Sequence, residues 1–223
     1  MTTFALIGAG PGLGAAVARR FGRHGFDIAL ISRSQPHLDT LAAQLGEDGV
    51  TARGFAADVR DPDALNAALD AATSTLGPIE VLQYSPVPHK DFMKPVLETT
   101  AADLQGPFAF SVGGPVTAVR NVLPGMRDLG RGTLLLLFVN GGSAVRPHPD
   151  RAGTSIAFAA ESAYARLLHD QLAPDGIHVA QLIIPGAITP GDDRKDPDVL
   201  AGLLFDLHRE RTGFRHFAEP LDA

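Results

Sequence analysis

Cysteine and tryptophan are absent from this chain of 223 residues, and it holds only two tyrosines, Tyr84 and Tyr164, and three lysines, Lys90, Lys94 and Lys195. Without cysteine there is no disulfide, no thiol nucleophile and no thiolate ligand for a metal, and the composition suits a reducing compartment. The histidines (His24, His37, His89, His148, His169, His178, His208 and His216) are scattered without ligand spacing, so no metal site is expected. Long apolar runs are also missing. The longest, Leu134 to Val139, falls far short of the ~20 residues that span a bilayer. Met1-Thr2-Thr3 leads straight into an apolar run, so no signal peptide is expected and a cytoplasmic location is. Positive charge is in deficit: a net charge of −6 and a pI near 5.7 argue against nucleic-acid and acidic-membrane partners, because phosphate surfaces need a basic face.

What is present is an alternation. A 45% apolar and 20% charged chain of this length fits one domain over residues 1–223. Strand-like runs occur at Phe4–Ile7, Asp27–Ile31, Val50–Ala56, Ile79–Tyr84, Thr133–Val139 and Ile177–Ile184. Between them the apolar residues recur with helical period, as in Leu13, Val17 and Phe21 or Leu38, Leu41 and Leu45, and Val199–Arg211 reads as a helix. Short apolar strands separated by helices imply parallel βαβ units with both sheet faces covered. The expectation is an α/β doubly wound sheet of six to seven parallel strands in three layers. Loops over 140–153 and 185–197 follow strands, so both belong at the carboxyl edge, where ligands bind in open α/β folds.

The first apolar run feeds Gly8-Ala9-Gly10-Pro11-Gly12-Leu13-Gly14 and then an amphipathic helix. Such a turn offers bare N–H groups at a helix N-terminus, where partial positive charge attracts a pyrophosphate. Glycine is needed because a Cβ would block the approach of phosphate, and of helix to strand. The second strand ends Ile31-Ser32-Arg33-Ser34, with no acid to receive a ribose hydroxyl. A guanidinium holds a phosphate bidentately, so Arg33 favours a 2′-phosphorylated dinucleotide, NADP(H), over NAD(H). Away from a nucleotide, Arg33 would be a solvated loop cation.

The spacing Gly8-xxx-Gly12-x-Gly14 resembles the short-chain dehydrogenase/reductase family, and so does most of the chain. Ala57-Asp58-Val59 looks like the family's Asp-Val step beside the adenine, Leu123-Pro124-Gly125-Met126 like its helix end before strand five, and Pro185-Gly186 like its turn near the nicotinamide. The resemblance implies a Rossmann-type fold and a cofactor groove bordered by Gly8, Gly10, Gly12, Leu13, Gly14, Ser32, Arg33, Ser34, Asp58, Val59, Ser85, Pro86, Pro185, Gly186 and Ile188. Asp58 also reads as a turn or helix-cap residue. Tyr84-Ser85-Pro86 stands where the family has Asn-Ala-Gly, and Ile7 where Thr is common. A homodimer or homotetramer through residues 101–129 and 154–173 is implied as well.

The family's chemistry uses a Tyr hydroxyl, a Lys one helical turn later, a carbonyl-polarising Ser and an Asn on the preceding helix. Counting from Leu172-Ala173 and Leu123-Pro124, those positions fall on Thr154, Phe158, Gly141–Gly142 (with Ser143 just beyond) and Ser111. No shift of register restores the pair, because Tyr164 is followed four residues on by Leu168. A threonine hydroxyl is too weak an acid to replace the tyrosine, and acid–base catalysis of this kind is worth roughly 100- to 10,000-fold. Substitutes can be named: Tyr84-Ser85, Ser143, His148, Asp150 and Glu161. His148 and Glu161 read better as an exposed loop histidine and a solvated helix residue, and Ser143 as a ligand contact or a turn cap. Tyr164 points away from the cofactor face. No catalytic residue is assigned, and two readings stay open: an NADP(H)-dependent oxidoreductase with an atypical proton donor, or a fold without redox turnover that serves as a sensor, scaffold, lyase, isomerase or cyclase.

Overall fold

In a computed structural model, which describes residues 2–139 and 145–220, the strands join one seven-stranded sheet in the order β3-β2-β1-β4-β5-β6-β7, parallel throughout. They are β1 (Thr3–Ile7), β2 (Asp27–Ser32), β3 (Ala52–Ala56), β4 (Ile79–Tyr84), β5 (Gly132–Val139), β6 (Ile177–Ile184) and β7 (Arg215–Phe217). On one face lie α1 (Leu13–Gly22), α2 (Gln35–Glu47) and α7 (Pro197–Glu210). Their Val17, Phe21, Leu38, Leu45, Leu200 and Leu204 pack with Phe4, Leu6, Ile28 and Leu30 of the sheet. The other face carries α3 (Pro62–Leu76), α4 (Ala101–Phe108), α5 (Gly114–Asp128) and α6 (Ala152–Leu172). There Leu65, Leu69, Val119, Val122 and Met126 meet Ala5, Ile7, Leu82 and Leu134. Successive residues of a strand point to opposite faces. Both faces are dry, so β1, β4 and β6 are buried along their whole length and read as continuous apolar runs rather than alternating ones.

The helices begin in two ways. α3, α4 and α7 are closed by side chains: Asp61 accepts from the amides of Asp63 and Ala64, Thr100 and Asp103 form a reciprocal capping box, and Asp196 accepts from Asp198. α1 starts instead on Gly12, which has no side chain to cap it. The sheet order places β1 between β2 and β4, so connections leave β1 on either side and open a crevice at the carboxyl ends of β1 and β4.

Several expectations change. β3 starts at Ala52, while Val50 is buried ahead of the strand; β2 runs on to Ser32; α6 begins inside the expected loop at Ala152. α7 ends at Glu210, because Arg211 takes a left-handed φ of 54° that breaks the helical path. β7 and the split of the 101–128 region by a π-helical segment, Ala109–Gly113, left no periodic trace in the sequence. Gly141, Gly142 and Ser143 lie outside the described residues. Among the described residues no helix is long and apolar enough to cross a membrane.

Candidate functional site

The β1–α1 turn holds its shape through contacts that only glycine permits. Gly8 has φ +94°, and a Cβ there would stand 2.5 Å from the Pro86 nitrogen, so the turn and the end of β4 touch backbone to backbone. At Gly14 a Cβ would make only ordinary contact, 3.5 Å from Ala9 Cα and from Leu6 Cδ2, so packing does not demand glycine there. Gly10 and Gly12 differ: nothing lies within 4 Å of where their Cβ atoms would be. Packing does not explain those two glycines, and the Gly10 position opens onto a cavity. The amides of Gly8 and Ala9 donate to Ile31 O, at 2.9 and 3.1 Å, but those of Gly10, Gly12, Leu13 and Gly14 have no acceptor among the described residues. Four free donors at an uncapped helix start form an anion cradle.

A cavity of about 830 Å³ opens from this turn. Its walls include eight of the residues expected in the groove: Gly8, Gly10, Ser32, Arg33, Ser34, Asp58, Val59 and Pro86. Gly12, Leu13, Gly14, Ser85, Pro185, Gly186 and Ile188 are not among its described walls. Leu13 and Ser85 are buried, so their side chains do not face a ligand; Ser85 Oγ receives a hydrogen bond from Gln83 Nε2 at 2.9 Å. Pro185 and Gly186 follow β6, where Lys195 sits against Gly186 and is tied to Glu219 at 2.9 Å.

The cavity's basic side chains are Arg33, His37, Arg60, His89 and Lys90. Arg33 makes no hydrogen bond or ion pair among the described residues, although its charge reaches Asp58. Arg60 is paired: its Nη2 lies 2.7 Å from Asp58 Oδ2 and its Nε 3.1 Å from Asp58 Oδ1. Arg60 holds the Asp58 carboxyl below the usual carboxylate range, more strongly than partial burial raises it. The sequence reading missed Arg60, His37, His89, Lys90, Phe92 and Phe110 as cavity walls. Arg60 is two positions from Asp58, and His37 is one helical turn beyond Ser34, so proximity in sequence was the available signal. Phe92 and Phe110 come from segments that only the fold brings together.

The other end of the site is occupied differently. Thr154, at the expected tyrosine position of α6, is buried and donates to Arg151 O at 3.1 Å. Phe158, at the lysine position, is buried with Ile183 and the partly buried Val145. Ser111, at the asparagine position, is buried in the π-helical segment. Two substitutes are corrected. Glu161 is not a solvated helix residue: it is 2% exposed, its Oε1 has no partner, and burial pushes its carboxyl well up, with the nearby Ser111 hydroxyl pulling the other way. Tyr84 does not border the cavity. Its hydroxyl donates to Phe110 O, and burial, helped by the charges of Glu161 and Asp58, raises it well above 10.0. His148 is half exposed and its Nδ1 lies 3.9 Å from Asp150, as an ordinary loop histidine would. Tyr164 is partly buried against the core, away from the cavity. Among the described residues no cluster of His, Asp or Glu could hold a metal ion.

Comparison with known proteins agrees with this layout. A family model for short chain dehydrogenases matches residues 2–197. The chain is 26% identical over 187 residues to a fatty acyl-CoA reductase of Mycobacterium tuberculosis; this is 83% of the chain and 63% of that relative, so the chain spans less than two thirds of its length. Among solved structures, a short-chain dehydrogenase from Rhodopseudomonas palustris is 26% identical with a TM-score of 0.85, covering 99% of each chain. An NADPH-bound short chain oxidoreductase from Pseudomonas aeruginosa PAO1, described as containing an atypical catalytic center, is 19% identical with a TM-score of 0.85, covering 97% of this chain and 94% of that one.

Proposed function

The chain belongs to the short-chain dehydrogenase family, and from that premise we propose that it binds NADP(H) in preference to NAD(H) and acts as an oxidoreductase with an atypical proton donor. The observation that carries the reading is the unpaired Arg33 on the wall of a cavity that also includes Gly10, whose amide is the first of the free donors before α1. The residues suit the coenzyme. Gly10, Gly12, Leu13 and Gly14 would receive the pyrophosphate on their amides; Arg33 would hold the 2′-phosphate, with Ser32 and Ser34 beside it. When bound, the nicotinamide supplies or accepts the hydride. The protein's own part is to orient the pair of reactants and keep water away.

The chain offers no tyrosine–lysine pair for proton delivery: Thr154 spends its hydroxyl on a backbone carbonyl and Phe158 is apolar. Acceptors that tolerate hydride addition without a protein acid, such as quinones and conjugated enones, fit this site better than simple ketones. Phe158 also favours the second reading, a protein that binds the coenzyme without turnover. The NADPH-bound neighbour with an atypical centre supports retained binding in a family member that departs from the usual residues.

Calorimetric titration tests the binding. NADPH is expected to bind with a dissociation constant of micromolar or below and NADH more weakly, and Arg33→Glu should reverse that order. Absence of heat with either coenzyme ends the proposal, and an unchanged order in Arg33→Glu places the 2′-phosphate elsewhere. NADPH oxidation with quinones, enones and ketones then separates the readings: tight binding with no turnover on any of them leaves the non-redox one.

A further inference from the structure

Resting on that NADP(H) reading, we propose that Lys90, on the arm that follows β4, holds the coenzyme's diphosphate from the side opposite Arg33, so that a side-chain cation closes the amide cradle. The β1–α1 turn lies between the ends of β2 and β4, because β1 lies between those strands in the sheet. Each flank is tied to the turn. On the β2 side Ile31 O accepts from the amides of Gly8 and Ala9, and Arg33 follows two residues later. On the β4 side the Ser85 amide donates to Ile7 O at 2.9 Å and Pro86 stands against Gly8; Lys90 follows four residues later. Arg33 and Lys90 line the same cavity. A dinucleotide with its 2′-phosphate at Arg33 on the β2 side brings its diphosphate to the free amides beside β1. A cation entering from the β4 side meets the diphosphate first.

Lys90 is free to do this. The other two lysines are committed, Lys94 to Asp103 at 2.6 Å and Lys195 to Glu219 at 2.9 Å. The Lys90 ammonium has no hydrogen bond or ion pair among the described residues, and its neighbour Asp91 faces His89 instead, with Oδ2 3.1 Å from Nδ1. Asp58 is the one acid among the described cavity walls and is paired with Arg60, so no unpaired carboxylate competes for Lys90 there. The arm holds the residue in place. Pro86 and Pro88 fix φ, and Lys90 opens a short turn, Lys90–Phe92, in which the Phe92 amide donates to His89 O at 3.0 Å. Phe92 is buried with its ring 5.7 Å from that of Phe110, which anchors the turn to the π-helical segment. Pro86 and Pro88 have no amide to donate, so side-chain charge is what this flank can offer an anion. The free amides at the start of α1 bring partial charges to a group that carries two full ones. An ammonium supplies the point charge that such a group takes.

Calorimetric titration of the full chain with NADPH and with NADH, at low and at high salt, tests this. Lys90→Gln removes the charge and keeps most of the stem. It should weaken both coenzymes by the same factor, about 5- to 10-fold at low salt, which lies between an exposed ion pair and a charge-assisted bond. Salt should narrow the difference from wild type, and Lys90→Arg should stay within about 2-fold of wild type. Arg33→Ala, by contrast, should weaken NADPH alone. A loss in Lys90→Gln that is confined to NADPH assigns the lysine to the 2′-phosphate and overturns the inference. So does a Lys90→Gln protein that binds both coenzymes as wild type does, or a loss that Lys90→Arg shares in full. If the wild type gives no heat with either coenzyme, the coenzyme reading fails and takes this inference with it. Wild-type binding with an indifferent Lys90→Gln removes only the role given to Lys90.

Discussion

At the scale of single residues, two buried titratable groups set how stability should follow pH. Glu161 brings a carboxyl with a partnerless oxygen into the core, a cost of about 1–3 kcal/mol for the unmet acceptor alone. Its folded pKa lies well above 4.5, so the unfolded chain gives up its proton first as pH rises. Stability from this site is therefore complete below about pH 4.5 and is lost as pH climbs through the folded value. His178 works in the opposite direction. Burial first, with Arg211 adding, lowers it from 6.5 to about 4; its contribution is complete above about 6.5 and fades as pH falls toward 4. Urea midpoints across a pH series should fall on both sides, and Glu161→Gln should flatten the alkaline side while leaving the acid side as it was. An alkaline side that keeps its slope in Glu161→Gln would mean that the carboxyl is already ionised in the fold. None of this was legible beforehand. Helical period predicts which face a residue occupies, but whether that face meets water depends on α4, α5 and the π-helical segment lying over it. Gly8 and Arg33 were legible because their roles depend on neighbours in sequence: a turn between strand and helix, and the end of the next strand.

At the scale of elements, the π-helical segment and β4 are locked by one hydroxyl. Widening the helix at Ala109–Gly113 frees the Phe110 carbonyl, and Tyr84 supplies the donor from the end of β4. Gly114 makes room: a Cβ there would run into the Tyr84 hydroxyl and approach Val59 O to 3.0 Å. The tyrosine thus satisfies the carbonyl left open at the bulge and accounts for the glycine in the adjoining helix. Phe110 and Val59 are also cavity walls, so this lock shapes the proposed cofactor site from behind. Tyr84→Phe should cost about 1–3 kcal/mol by orphaning a buried carbonyl, and Gly114→Ala about 1–3 kcal/mol by overpacking. The double variant should cost less than the sum by about 1 kcal/mol or more, because removing the hydroxyl makes space for the methyl. Additivity within about 0.5 kcal/mol, measured by denaturant unfolding, would show that the two sites do not share this contact. The alternation of strands and helices was readable because each apolar run is a whole buried strand. The bulge was not, because the hydroxyl that satisfies its open carbonyl sits 26 residues away in β4.

At the scale of the whole molecule, the helical layer of α4, α5 and α6 leaves an apolar surface facing outward. Ile156, Ala160, Ala163 and Leu167 follow one another at three- and four-residue steps along α6; Ile156 is 41% and Leu167 64% exposed. Phe108, 39% exposed, adds to it from the neighbouring α4. The small alanines between the larger side chains allow a second helix to approach closely, and charge is sparse along the stripe. We propose that this surface pairs two copies of the chain, in line with the dimer or tetramer expected from residues 101–129 and 154–173. A stable pairing needs about 800 Å² per partner. Light scattering on a size-exclusion column should report a dimer or tetramer for the wild type, and Leu167→Glu, which places a charge on the most exposed apolar residue of the stripe, should shift it toward monomer. NADPH binding by that variant separates the two scales. The cavity lies at the carboxyl edge of the sheet and draws its walls from the end of β2, the segments that follow β1, β2, β3 and β4, His37 of α2 and Phe110 of the π-helical segment. A dissociated protein should therefore keep its coenzyme affinity within a few-fold, and a collapse of affinity on dissociation would show that the second copy completes the site.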